Sequence, residues 1–142
     1  MTPPPGILLV DDDAIGAELT LAALQELHLG VPVQLAADGE EALDLLFQHR
    51  PGNPAATPYL VLLDLKMPKV DGHEVLRQVR ASARFHALRV VVLTSSDQRE
   101  DMARCRQLGI DAYLTKPPSI FDLIAQFRAI APLLAPPPPE RP

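Results

Sequence analysis

The sequence predicts an α/β domain in which a parallel five-stranded sheet lies between two layers of helix. Two observations carry that expectation. Short, continuous apolar runs alternate with longer stretches whose apolar residues recur at helical spacing, and the runs end on polar residues. Strands buried on both faces read as unbroken Val, Ile and Leu, as in parallel sheets covered by helices. Five strand–helix units joined by right-handed crossovers put helices on both faces of one sheet.

The elements follow in order. Gly6 to Val10, Tyr59 to Leu63 and Val90 to Leu93 are the apolar runs expected as strands one, three and four. Val31 to Ala36 is weaker and contains Pro32, which suits the start of an edge strand because proline has no ladder donor. Ala112 to Thr115 is a short fifth strand. In the first helix Ile15, Leu19, Ala22, Ala23 and Leu27 are expected to share the inward face. Ala42, Leu45 and Leu46 do so in the second, Val75, Leu76 and Val79 in the third, and Leu123, Ile124, Phe127 and Ile130 in the last; Met102, Ala103 and Leu108 make a thinner stripe in the fourth. Asp13 is expected to cap the first helix or sit in its first turn, and Asp38 with Gly39 to turn into the second. Asp97 and Glu100 have the spacing of an N-cap and its capping-box partner for the fourth helix, and Gly109 sits where a helix ends on a left-handed residue.

At 142 residues the chain has the length of one domain, enough to bury roughly 68–70% of its unfolded surface without disulfides or structural metal. That domain is expected over residues 6–131, between proline-rich ends at 1–5 and 132–142, the latter extended and polyproline-like. A net charge of −5 argues against a nucleic-acid surface. The apolar runs are too short to span a bilayer, and no signal peptide is evident. The single cysteine, Cys105, has no internal partner, which fits a reducing cytoplasm. The four histidines lack ligand spacing.

The chemistry lies at the strand ends. Strand one runs into Asp11, Asp12 and Asp13, strand three ends in Asp64, strand four in Thr94, Ser95 and Ser96, and strand five in Lys116. Open parallel sheets bind ligands outside the carboxyl ends of their strands, at the switch point of the strand order. With strand one central, in the order 2-1-3-4-5, these ends converge on one shallow pocket. Clustered carboxylates call for a small hard cation, and Mg²⁺ takes one or two of them together with water and phosphate oxygens. A carboxylate can also attack phosphorus to give an acyl phosphate. Phosphoryl transfer then needs mainly positioning and charge neutralisation, which a metal, an ammonium and a hydroxyl supply.

The motifs "ILLVDDDA", "LVLLDLKMPKVDG", "VVVLTSS" and "DAYLTKP" occur in order and together resemble the receiver domains of two-component response regulators. The resemblance covers Gly6 to about Ala131 and implies the flavodoxin-like (βα)5 fold. It implies Asp64 as phosphoacceptor, a Mg²⁺ or Mn²⁺ ion held by Asp12, Asp64, Asp11 and the backbone carbonyl of Lys66, and phosphoryl contacts from Thr94 and Lys116. It also implies a cis bond before Pro117, a turn at Gly72 and a switch role for Tyr113 coupled to Thr94. Such a protein catalyses its own phosphorylation and dephosphorylation rather than acting as an enzyme on a separate substrate. Its partner is a sensor histidine kinase. The insertion "HRPGNPAATP" and the segment "TSSDQRED" further resemble single-domain regulators that partner phytochrome kinases.

Lys66, two residues beyond Asp64, and Ser96, two beyond Thr94, depart from the commonest pattern and bear on the lifetime of the phosphorylated state. Output is expected through protein contacts, including an isologous homodimer formed by the fourth helix, fifth strand and fifth helix, because the apolar stripe continues to Leu133 and Leu134. Three alternatives remain open. An aspartate-nucleophile phosphatase usually has a second Asp where Lys66 stands. A flavodoxin-like cofactor binder wants a Ser/Thr/Gly-rich phosphate loop where this chain has "DDDAIG". A docking module would have kept the fold without the chemistry.

Overall fold

A computed structural model describes residues 6–47, 57–85 and 87–137. Strands β1 (Ile7–Val10), β2 (Val33–Ala36), β3 (Leu60–Leu63), β4 (Arg89–Thr94) and β5 (Ala112–Thr115) alternate with helices α1 (Ala14–Gln25), α2 (Gly39–Phe47), α3 (Gly72–Ala81), α4 (Arg99–Leu108) and α5 (Ile120–Ala129); a short helix α6 (Ala131–Leu134) follows. All pairings are parallel, in the order β2-β1-β3-β4-β5. This is the expected fold.

The sheet separates two apolar layers. One face carries Leu8, Val10, Val61, Leu63, Val90 and Val92 against α2, α3 and α4; the other carries Ile7, Leu9, Leu60, Leu62, Val91 and Leu93 against α1 and α5. Because β1, β3 and β4 are covered on both faces, neither side-chain parity is polar. Burying one Leu or Val side chain is worth about 1.5–3 kcal/mol, so these strands hold the frame to which the site is attached.

Register aligns the carboxyl ends. Val10 pairs with both Ala36 and Leu63, Leu63 with Val92, and Thr94 with Thr115. The ladder runs one residue further at three places: Asp11 N–H donates to Ala36 O (3.1 Å), Asp64 N–H to Val10 O (3.0 Å) and Lys116 N–H to Thr94 O (2.7 Å). Asp11, Asp64 and Lys116 therefore leave the sheet with their backbones still fixed by it.

Several local expectations hold. Asp13 caps α1 by accepting from the Ile15 amide, Asp38 accepts from the Glu41 amide ahead of α2, and Gly109 ends α4 at φ +106°. Others are corrected. In α1 the buried residues are Ala17, Thr20, Ala23 and Leu24, while Ile15 and Leu19 are exposed. The helix is apolar on nearly every side, so periodicity does not select a face; close packing against α5 selects the small residues. Asp97 does not cap α4. Gln98 occupies that position without a side-chain cap bond, and its amide donates to Ser96 Oγ (3.3 Å).

Residues beyond Ala131 are not a free tail from their first residue. Leu134 is fully buried, its carbonyl accepts from the Tyr59 hydroxyl (2.6 Å), and Arg89 donates to the carbonyls of Leu133 (3.2 Å) and Ala135 (2.9 Å). Most of the "HRPGNPAATP" insertion and both proline-rich extremes lie outside the described residues. No helix among the described residues is long and apolar enough to cross a membrane.

Candidate functional site

The loops after β1 and β3 bring together the acids named from the sequence. Asp11, Asp12 and Asp64 each offer a carboxylate oxygen, and these oxygens lie within 4.8 Å of one another. Asp11 and Asp64 are buried and Asp12 is exposed. Lys116 reaches the cluster from β5, its Nζ donating to Asp11 Oδ2 at 3.0 Å and to Asp64 Oδ2 at 3.1 Å. Asp11 is further fixed by the Asp13 amide (2.9 Å), and Asp64 Oδ1 accepts weakly from the Lys66 amide (3.3 Å).

The electrostatics follow from burial. Burial pushes the Asp11 carboxyl above its ordinary value, against the Asp13 amide and Lys116, which pull it down. Burial also acts to lower Lys116, but the Asp64 and Asp11 carboxylates together carry the ammonium above its usual value. Three carboxylates opposite one ammonium leave a formal charge of −2 when all are ionised. The donors are hard oxygens, one of them open to solvent. That set fits a divalent cation in both charge and ligand type.

The turn from β3 into α3 is packed against Asp64. A Cβ on Gly72 would stand 2.2 Å from Asp64 O and 2.7 Å from Leu65 Cα, and the Gly72 amide donates to Leu65 O at 2.9 Å. Gly72 is required for close approach rather than for a left-handed φ; that conformation belongs to Lys69, at φ +65°. Asp71 caps α3 through the Glu74 amide (3.0 Å). A groove of about 520 Å³ beside the acids is lined by Asp12, Lys66, Met67, His73, Asp101 and Arg104, among others.

Thr94, fully buried, ends β4, and its Oγ1 accepts from the Ser96 amide (3.4 Å). Tyr113 is half-buried, and its hydroxyl donates to Ser96 O (2.8 Å). Ser96 Oγ donates to Asp101, which also bonds His73 Nε2 (3.0 Å). Sequence reading did not find His73 or Asp101, since their pairing joins helices across 28 positions. The available signal was a histidine directly after Gly72, at the start of the third helix.

One expectation at the site's edge fails. Among the described residues no peptide bond is cis, so the bond before Pro117 is trans. The trans form is the favoured one for X–Pro, by about 0.5–1 kcal/mol, and Lys116 Nζ reaches both carboxylates from it.

Comparison with known proteins agrees with this geometry. Residues 7–128 match the family model of the response regulator receiver domain. The probable methanogenesis regulatory protein FilR2 of Methanothrix harundinacea is 44% identical over 117 residues, covering 82% of this chain and 75% of that protein. The response regulator Rcp1 of Synechocystis sp. is 33% identical over 128 residues, covering 90% and 87%; its Mn²⁺-bound structure superposes with TM-score 0.75, covering 89% of this chain and 91% of that one at 32% identity. The phosphorylated cyanobacterial phytochrome response regulator RcpA gives TM-score 0.80 at 31% identity, covering 89% and 91%. The bacteriophytochrome response regulator RtBRR gives 0.77 at 40%, covering 97% and 86%. The chain spans about half the length of several other relatives it matches. With its five-stranded parallel sheet, its acids and lysine at the carboxyl rim and the family match over residues 7–128, the chain belongs to the response regulator receiver family.

Proposed function

We propose that this chain accepts a phosphoryl group on Asp64 from a sensor histidine kinase, with Mg²⁺ or Mn²⁺ bound at the acids, and signals by changing its contacts with other proteins. The observation that carries the reading is Lys116 bridging Asp11 and Asp64 beside a third carboxylate. Of the two buried acids, Asp64 is the better nucleophile candidate. Asp11 is held by the closer amide contact, from Asp13 at 2.9 Å against 3.3 Å from Lys66 to Asp64, while Asp64 directly follows the middle strand β3, next to Leu65 and Lys66, which line the groove.

Asp12, Asp64, Asp11 and the Lys66 carbonyl are the groups proposed to hold the cation. When bound, the cation neutralises the phosphoryl oxygens and the carboxylate charge that would repel them. Asp64 supplies the attacking oxygen; the donor's leaving group departs with the electrons of the broken bond to phosphorus. Lys116 then exchanges one carboxylate partner for a phosphoryl oxygen, and Thr94 donates its hydroxyl proton to another. Tyr113 follows Thr94, since both hydroxyls engage Ser96. The chain thus catalyses its own modification rather than acting on a separate substrate.

A bacteriophytochrome-type kinase is the proposed partner, supported by the likeness to RcpA and RtBRR, which are described as phytochrome and bacteriophytochrome response regulators. A homodimer through α4, β5 and α5 is also proposed. It loses one of its supports, because Leu134 is buried within its own chain.

The test is intact mass after exposure to phosphoramidate with Mg²⁺. One phosphoryl group is expected in the native chain and none in Asp64→Asn. Absence of any gain, and of any beryllofluoride binding, would return the chain to the docking-module reading.

A further inference from the structure

Ser96 is held from four sides. Its amide donates to Thr94 Oγ1 (3.4 Å), its carbonyl accepts from Tyr113, and its hydroxyl donates to Asp101 Oδ2 while accepting from the Gln98 amide. Asp101 is fixed in turn through Oδ1 by His73 Nε2 (3.0 Å). His73 and Ser96 are both buried, so neither bond is lightly exchanged for water. His73 follows Gly72, the residue pressed against the carbonyl of Asp64. The contacts therefore form a path that leaves Asp64 through the start of α3, crosses to α4 at Asp101, and reaches Thr94 through Ser96.

Hydrogen-bond accounting gives the path a task. A threonine hydroxyl has one proton and two acceptor sites. When the Ser96 amide enters one acceptor site, the Thr94 proton is left to point away from Ser96. At 3.4 Å that bond is weak, and its direction depends on what holds Ser96. Asp101, oriented by His73, accepts the Ser96 hydroxyl proton and, with the Gln98 amide, holds the Ser96 side chain.

We propose that His73 and Asp101 are positioning residues for phosphoryl transfer, acting through Ser96 to keep the Thr94 hydroxyl in the rotamer that donates to the phosphoryl group. This rests on the reading of Asp64 as phosphoacceptor. Neither residue touches the reacting atoms.

Two measurements on the full chain test it. In the resting protein, with no phosphodonor, three-bond couplings report the Thr94 χ1 rotamer. A single rotamer is expected in the native chain and in Asp101→Asn, which keeps an acceptor for Ser96; rotamer averaging is expected in Asp101→Ala. In single-turnover phosphorylation by phosphoramidate with Mg²⁺, Asp101→Ala lowers the maximal rate about fivefold to tenfold, the scale of one oriented hydrogen bond. The donor concentration at half-maximal rate stays unchanged, Asp101→Asn restores the rate, and Asp101→Ala adds nothing in a Thr94→Ala background. A fixed Thr94 rotamer in Asp101→Ala overturns the proposal, as does an equal loss of rate in the Thr94→Ala background. If the native chain takes up no phosphoryl group, the phosphoacceptor reading fails, and the rotamer measurement alone decides whether Asp101 positions Thr94.

Discussion

At the amino end of the sheet, Arg80 donates to the carbonyls of Gly109 (2.8 Å) and Leu88 (2.7 Å), Arg89 to those of Leu133 and Ala135, and Asp111 accepts from the Val90 amide (2.8 Å). Each charge there closes a loop or a terminus onto backbone. At the carboxyl end, Asp11, Asp12 and Asp64 crowd together with Lys116 as the single described ammonium bonded to them. Polar side chains at one end complete the fold; at the other they strain it and leave charge for an incoming ligand to neutralise. Proteins that break their own packing rules in one place usually do so at a site.

Substitutions at the two ends should therefore separate chemistry from stability. The largest expected contrast is between Asp64→Asn, which removes all phosphoryl uptake and leaves the fold intact, and Arg80→Met, which keeps uptake but lowers unfolding free energy by about 2–3 kcal/mol, the scale of hydrogen bonds to a charged group. Chemical denaturation beside intact mass reads both. Equal stability losses at the two ends would erase the distinction.

Metal should relieve the strained end selectively. Mg²⁺ at about a hundred times its dissociation constant stabilises by about 2.7 kcal/mol through mass action on the folded state. Asp12→Ala should lose that gain while Arg80→Met retains it, as followed by thermal melts with and without Mg²⁺.

Protons sharpen the comparison within the carboxyl end itself. Ser96 and His73 hold the Asp101 carboxyl below its ordinary 3.8. Its folded value is the lower one, so its stabilisation is present above pH 3.8 and fades as pH falls through that folded value. Asp11 has the opposite sign: its raised folded value favours folding below 3.8, and that contribution disappears as pH rises through it. Without metal, Asp101→Asn should flatten the acid limb of stability against pH, and Asp11→Asn the limb just above it. Superimposable curves would show that neither carboxyl is perturbed.

The smallest effect is expected at Lys69, whose left-handed backbone costs roughly 1–2 kcal/mol in a residue with a Cβ. Lys69→Gly should recover about 1 kcal/mol in thermal melts without metal; an unchanged or lower melting temperature would show that the left-handed turn is not a cost.

Much of this was legible in the sequence, and the omissions share a cause. Buried parallel strands announce themselves as unbroken apolar runs, and a strand's next residue is placed by register, so Asp11, Asp64, Thr94 and Lys116 could be assigned to one rim. The face of α1 could not, because a helix apolar all round carries no phase; contact with α5 chose Ala17 and Thr20 over Ile15 and Leu19. Asp97 had the right spacing for a cap, but the helix starts one residue later, at Arg99 after Gln98, and a one-residue shift of a helix start is not encoded in the spacing. The His73–Asp101–Ser96 chain depends on two helices meeting, which spacing along the chain does not encode. The packed end of the molecule was hidden similarly: Leu134 looked like surplus apolar surface until Tyr59 and Arg89 were seen to tie its turn down.

That docked turn has a practical use. Tyr59 precedes β3 and Arg89 opens β4, so the backbone after α6 departs from the amino edge of the sheet. The six-residue β4 separates that edge from the acids by about 20 Å at 3.3 Å per residue. A fluorophore or surface tether joined after Ala135 would stand behind the domain, on the side away from Asp11, Asp12 and Asp64. Immobilised that way, the protein presents its reactive rim to solution, and binding or modification there can be followed without the label obstructing it.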